Sequence, residues 1–281
     1  MSVMKFLQLF LWFIFASVST HAISGEVLSK LQGYPEQGGF VWGQTIPLAQ
    51  VKLGDASAQA DEKGLFYIGI PRLAQQTEQL EISVLGVPQY TQKLTIAQHE
   101  YPTQYIKGVK KKHVNPRSEA DMAHIRSDIE KINAARAQPF EMLPYIEKTF
   151  SQPVSGTITG VYGSRRFYNG EERSWHKGTD FARKTGTPIA APQDAVVKLA
   201  LANSYFNGNL IMLDHGHGMM TLYAHLDRLD VKTGDSVKQG DVIGTVGSTG
   251  RSTGPHLHWG LYWGKMALNP MLLFKTPQNL M

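Results

Sequence analysis

Glycine and proline interrupt this sequence so often that most of it can form only short extended segments. There are 27 glycines and 14 prolines in 281 residues, and each costs a helix interior about 1 or 3 kcal/mol respectively. From about Val27 to Glu100, short apolar runs are separated by Gly38-Gly39, Gly54-Asp55 and Asp61-Glu62-Lys63-Gly64. That rhythm predicts a small β-sandwich. Its strands include Gly39–Gly43, Leu65–Ile68 and Leu94–Ile96, with Pro47 and Pro71 at strand ends or edges, where the missing N–H does no harm. From about Val154 onward Gly and Pro punctuate further apolar runs at 195–199, 210–213, 220–223 and 242–246. These read as antiparallel strands joined by tight turns, with Asp214-His215-Gly216-His217-Gly218 as one hairpin connection.

One interval between these regions has a different period. Met122, Ile125, Ile129 and Ile132 recur at helical spacing, so they predict one apolar stripe on a connecting helix packed against a neighbouring domain. Asn115-Pro116, or Ser118 with Asp121 three residues later, opens the helix, and Pro139 ends it. His124 lies among polar neighbours and reads as solvated. The expected class is therefore mainly β. An antiparallel β-sheet domain at 151–281 follows a β-sandwich at 23–105 and a helical linker at 106–150.

Lys5, the apolar run Phe6–Val18 and the small residues of Ser19-Thr20-His21-Ala22 read as a secretion signal over 1–22. The mature chain is expected to begin near Ile23, outside the inner membrane, in the periplasm. The run is shorter than the roughly 20 residues a spanning helix needs, so no stable membrane insertion is expected after cleavage. The absence of cysteine leaves neither a lipid-attachment Cys nor a disulfide. With 42% hydrophobic and 18% charged residues, the composition excludes a disordered chain and a multi-span membrane protein. The net charge of +5 favours anionic partners in general. Lys110-Lys111-Lys112 lacks interleaved aromatics and reads as a solvated basic face, so no nucleic-acid partner is expected.

Chemistry concentrates in three histidine clusters. Trp175-His176-Lys177-Gly178-Thr179-Asp180 offers an imidazole nitrogen and a carboxylate oxygen, both good zinc donors, and Gly178 disfavours a helix between them. In Gly254-Pro255-His256-Leu257-His258-Trp259-Gly260, a strand would project His256 and His258 to one face and Leu257 to the other. Two imidazoles pressed together on one side of a small β domain are costly unless something coordinates or orients them. Tyr223-Ala224-His225-Leu226 ends an apolar strand with a third histidine. Together the clusters supply three ligands with a coordination position left open, plus imidazoles to handle protons.

The motifs His-x-Gly-x-Asp, Tyr-Ala-His-Leu and Gly-Pro-His-Leu-His, in this order, resemble the LytM/lysostaphin-type (M23) zinc metallopeptidase family over roughly residues 154 to 274. Gly186–Pro192, Val237–Gly244 and Gly247–Gly250 agree with it. The resemblance implies one Zn²⁺ per chain held by His176, Asp180 and His258, with His225 and His256 as the two catalytic histidines that are not ligands. It also implies an endopeptidase acting on peptide stems or cross-bridges of peptidoglycan. In a Gram-negative host the D-alanyl to diaminopimelate cross-link is the natural candidate. Non-enzymatic wall-binding or amidase-activating members of such families lack ligands, whereas this chain keeps all five site residues. A metalloprotease acting on exported proteins would use the same chemistry.

His215 and His217 form a second His-x-His pair, which its flanking glycines place in a flexible turn with no acidic partner near in sequence. Arg165, Arg166 and Arg173 read either as bidentate receptors for substrate carboxylates or as a solvated basic loop. The accessory region, or the linker around Tyr101 to Gln138, is expected to cover the groove and hold the enzyme latent.

Overall fold

The computed structural model describes residues 26–137 and 149–281. The leader at 1–22, the start near Ile23 and the helix stop at Pro139 lie outside the described residues.

Residues 28–95, with strand 278–279 from the end of the chain, form two four-stranded antiparallel sheets that face each other. One runs 278–279, 28–33, 40–45, 65–69 across its width, and the other runs 56–59, 50–53, 77–84, 87–95. Alternation puts Leu28, Val41, Phe66, Ile68, Leu80 and Ile82 between them, each at most 1% exposed, as a two-sheet sandwich requires. Pro47 and Pro71 both fall just outside strands. The last strand, Gln278–Asn279, returns from the far end of the chain to pair with Gln32 and Gly33.

The C-terminal sheet is antiparallel, in the order 236–237, 195–204, 208–214, 219–226, 256–263, 179–182, 157–160, with 266–268 also paired to 256–263. The apolar runs 195–199, 210–213 and 220–223 lie in strands of this sheet, the run 242–246 supplies strand Val242–Thr245 of a separate three-stranded sheet, and the Asp214–Gly218 segment joins strands 208–214 and 219–226. Phe181, Ile211, Leu213, Tyr223, Leu257 and Trp259 fill one core, which Tyr34, Phe40 and Tyr67 of the N-terminal region also enter. Strand Thr103–Ile106 pairs in parallel with Arg165–Tyr168 and so ties the linker to the region bearing the first histidine cluster.

The connecting helix runs Glu119–Ala137, and Ser118 caps it by accepting the Asp121 N–H at 3.0 Å. Its buried face differs from the expected stripe. Ile125, Asp128 and Ala135 are buried with Ile132 half-buried, while Met122 and Ile129 are 36% and 51% exposed. The buried Asp128 carboxylate accepts the Tyr205 N–H at 2.7 Å, so the need to satisfy a buried backbone donor turns this face inward. His124 is exposed, as its neighbours suggested.

Candidate metal centre

His176, Asp180 and His258 come together through strand register. Asp180 and His258 are directly opposite partners of the antiparallel strands 179–182 and 256–263. His176 enters from the preceding bend, where its N–H bonds the Ser164 carbonyl at 2.8 Å and its own carbonyl accepts the Gly163 N–H. Gly178 is needed for space: a Cβ there would stand 2.4 Å from the Trp259 carbonyl oxygen and 2.9 Å from the His258 ring. The alternation expected at 256–258 is present, with Leu257 fully buried on the opposite face.

Three atoms converge. His176 Nε2 lies 2.9 Å from Asp180 Oδ1 and 2.9 Å from His258 Nδ1, and His258 Nδ1 lies 2.8 Å from Asp180 Oδ1. His176 Nδ1 sits 2.9 Å from the Val161 carbonyl oxygen, which can only accept. The proton is therefore on Nδ1, and Nε2 presents a lone pair. Burial pushes His176 down to about 4 despite the neighbouring carboxylate, so its ring is neutral near pH 7. Burial alone would raise Asp180, but His176 and His258 outweigh it and hold the carboxyl well below its usual range. Two acceptors 2.9 Å apart in a buried site need a cation between them. Zinc fits this donor set, since tetrahedral bonds of 2.0–2.2 Å separate ligand atoms by about 3.3 Å, a few tenths more than here.

Arg166, one of the three arginines read as substrate receptors or solvated, instead donates from Nη2 to Asp180 Oδ2 at 2.6 Å. Its Nε donates to Gln104 at 3.0 Å. The second carboxylate oxygen is thereby fixed, leaving Oδ1 for a metal. Gly160 makes the room, because a Cβ there would stand 2.5 Å from Asp180 Oδ2. Arg165 pairs with exposed Glu172 at 2.8 Å, and Arg173 with Glu171.

His225 and His256 lie next to the three-atom cluster, their rings 4.8 Å apart. His225 has φ +65°, a left-handed backbone that costs an L-residue roughly 1–2 kcal/mol. Its N–H bonds the Asn207 carbonyl at 2.7 Å and its Nδ1 donates to the Thr249 carbonyl at 2.9 Å. His256 Nδ1 donates likewise to the Gly254 carbonyl at 2.8 Å. Both rings therefore keep Nε2 as an acceptor. Burial first, then His256 and His258, push His225 well below its ordinary value. The five residues line a cleft of about 540 Å³, with Gln104, Ile106 and Val109 of the linker along part of it.

His215 and His217 leave this site altogether, correcting the flexible-turn reading. His215 is fully buried; its Nδ1 donates to the Asp194 carbonyl at 3.1 Å and its Nε2 accepts from Thr221 at 2.8 Å. His217 Nε2 lies 3.3 Å from Asp61 of the sandwich, a carboxylate distant in sequence, and its ring packs on Tyr67. Sequence reasoning missed the partnership of Arg166 with Asp180, the contribution of Gln104, and the carbonyls of Val161 and Thr249 that orient the rings. A backbone carbonyl has no sequence signal. Gly160 was the one available hint of crowding at Asp180.

The β-sheet carrying a buried His–Asp–His cluster beside two further imidazoles defines a metallopeptidase-type centre. Residues 174–270 match the model of Peptidase family M23. Over 95 residues the chain is 48% identical to the Vibrio cholerae peptidoglycan DD-endopeptidase ShyC, covering 34% of this chain and 22% of that protein. Over 104 residues it is 42% identical to the DD-carboxypeptidase/endopeptidase Mpg of Neisseria meningitidis, covering 37% and 24%. The aligned part is thus about a quarter or less of these relatives' length. A crystal structure of a peptidase M23 from Pseudomonas aeruginosa shares the fold with TM-score 0.62 at 23% identity, covering 85% of this chain and 95% of that one. Residues 174–270 are thus a region of the peptidase family M23 type.

Proposed function

We propose that the chain is a zinc-dependent endopeptidase that hydrolyses peptide cross-links or stems of bacterial peptidoglycan in the periplasm. The observation that carries this reading is the convergence of His176 Nε2, Asp180 Oδ1 and His258 Nδ1 within hydrogen-bond distance, beside two imidazoles whose Nε2 atoms are acceptors. Relatives named as peptidoglycan DD-endopeptidases support the substrate class. Zinc held by the three atoms supplies a Lewis acid for the scissile carbonyl and lowers the pKa of water toward about 7.

The protein's own groups do the rest. Arg166 keeps Asp180 oriented through its second oxygen. His225 and His256, fixed by backbone carbonyls, between them accept the water's proton, hydrogen-bond the developing oxyanion and return a proton to the leaving amine. The strained φ of His225 fits a side chain held in place for chemistry.

Digestion of purified cross-linked sacculi by the zinc-loaded mature protein, read by mass spectrometry of released muropeptides, tests the proposal. Loss of cross-linked dimers with wild type, abolished by a chelator and absent with His176→Ala, is the expected result. Intact dimers under every condition would exclude the cross-link as substrate and, if stems are also intact, the endopeptidase reading.

A further inference from the structure

The cleft has an uneven charge lining. Arg166, Lys177 and Arg251 face it, and Asp180 is the one carboxylate among its described lining residues. Two guanidiniums on this side are already neutralised: Arg166 by Asp180, and neighbouring Arg173 by Glu171. Arg251 has no such partner. Its side chain forms no hydrogen bond or ion pair with any described residue, and its guanidinium instead lies 4.8 Å from the Tyr168 ring centre and 4.6 Å from that of Phe206.

Stacking of this kind occupies the faces of a guanidinium and leaves its in-plane N–H groups for a ligand. The backbone is equally well held, since the Arg251 N–H donates to the Phe206 carbonyl at 2.8 Å. The next residue, Ser252, has its hydroxyl 3.3 Å from His256 Nδ1, so the loop that carries Arg251 leads straight to the histidine pair. Partial burial and the nearby Arg166 and Arg173 both weigh against the charge of Arg251, which makes it a half-buried cation lacking a counter-ion.

We propose that Arg251 receives a carboxylate of the substrate through the in-plane N–H groups of its guanidinium, so that the cleft selects peptides carrying a free carboxylate in the stretch bound beside His225 and His256. This specificity role rests on the endopeptidase reading above. A carboxylate matches both the fork geometry and the missing charge, whereas an amide in its place offers one acceptor and no charge.

The test compares two substrates with one zinc-loaded full chain: purified cross-linked muropeptide dimers with free stem carboxylates, and the same dimers with those carboxylates converted to amides. Wild type is expected to cleave the amidated dimers with kcat/KM about 10- to 100-fold lower, the loss of a charge-assisted hydrogen bond. Arg251→Met should lose most activity on the free-acid dimers and show almost no difference between the two substrates, with Arg251→Lys intermediate. Since Arg251 also packs two rings, the melting temperature of each variant is measured alongside, and the wild-type comparison needs no variant. Equal cleavage of both substrates by wild type overturns the inference, as does an undiminished amide penalty in Arg251→Met. A wild-type chain that cleaves neither substrate overturns the endopeptidase reading and the inference with it.

Discussion

The N-terminal sandwich and the C-terminal sheet are both antiparallel, but they bury different things. The centre of the sandwich is apolar, with Phe66, Ile68, Leu80 and Ile82 at most 1% exposed. The C-terminal region buries His176, Asp180, Asp214, His215 and Thr221 as well. Burial of polar groups is tolerated only with partners, and here the partners sort into two kinds. His215 is satisfied within the protein by Asp194 and Thr221, whereas His176 and Asp180 present lone pairs to each other and are left wanting a cation. The sandwich is a scaffold, and the C-terminal sheet is a scaffold that also carries a set of donor atoms suited to a cation.

That contrast can be broken by substitutions on each side. His176→Ala is expected to reduce kcat/KM on cross-linked muropeptides by at least about 10³-fold, several kcal/mol of lost metal-derived stabilisation. The sandwich counterpart, Phe66→Ala, should lower stability by about 3–5 kcal/mol in urea denaturation. Zinc affinity of the folded fraction should stay unchanged, and a parallel loss of zinc affinity would mean that the two regions are not separable.

His215 sharpens the comparison through pH. Burial lowers its pKa from 6.5 to about 4, so the unfolded chain takes up this proton first as pH falls. Its stabilising contribution is complete above about pH 6.5 and disappears between 6.5 and 4, amounting to about 3 kcal/mol at 1.36 kcal/mol per pKa unit. Denaturation at pH 7.5 and 4.5 should show this much less pH dependence in His215→Asn than in wild type. The smallest expected effect is that of Arg166→Ala, a 10- to 100-fold weaker zinc affinity by chelator competition, from freeing Asp180 Oδ2.

Much of this was legible before any coordinates. Apolar runs bounded by turn residues placed strands around Gly39–Gly43, Leu65–Ile68 and Leu210–Leu213, and period-two alternation put His256 and His258 on one face opposite Leu257. The helix was legible in existence but not in orientation, because its apolar spacing favoured Ile129 while a single hydrogen bond from the Tyr205 N–H turned Asp128 inward. His215-Gly216-His217 misled for a related reason. Glycine neighbours describe the local backbone freedom, but they are silent on Thr221, Asp194 and the distant Asp61 that hold the two rings.

The sequence by itself determined the mainly β class, several of the strands and, through its motifs, the five residues brought together at the site, because turn punctuation and motif spacing are properties of contiguous residues. Tertiary structure alone decided which nitrogen of each histidine faces the cleft, that Arg166 serves Asp180, and that Arg251 stacks between two rings with no ionic partner among the described residues. Those outcomes depend on carbonyls, rings and carboxylates from other strands, and strand register sets their distances.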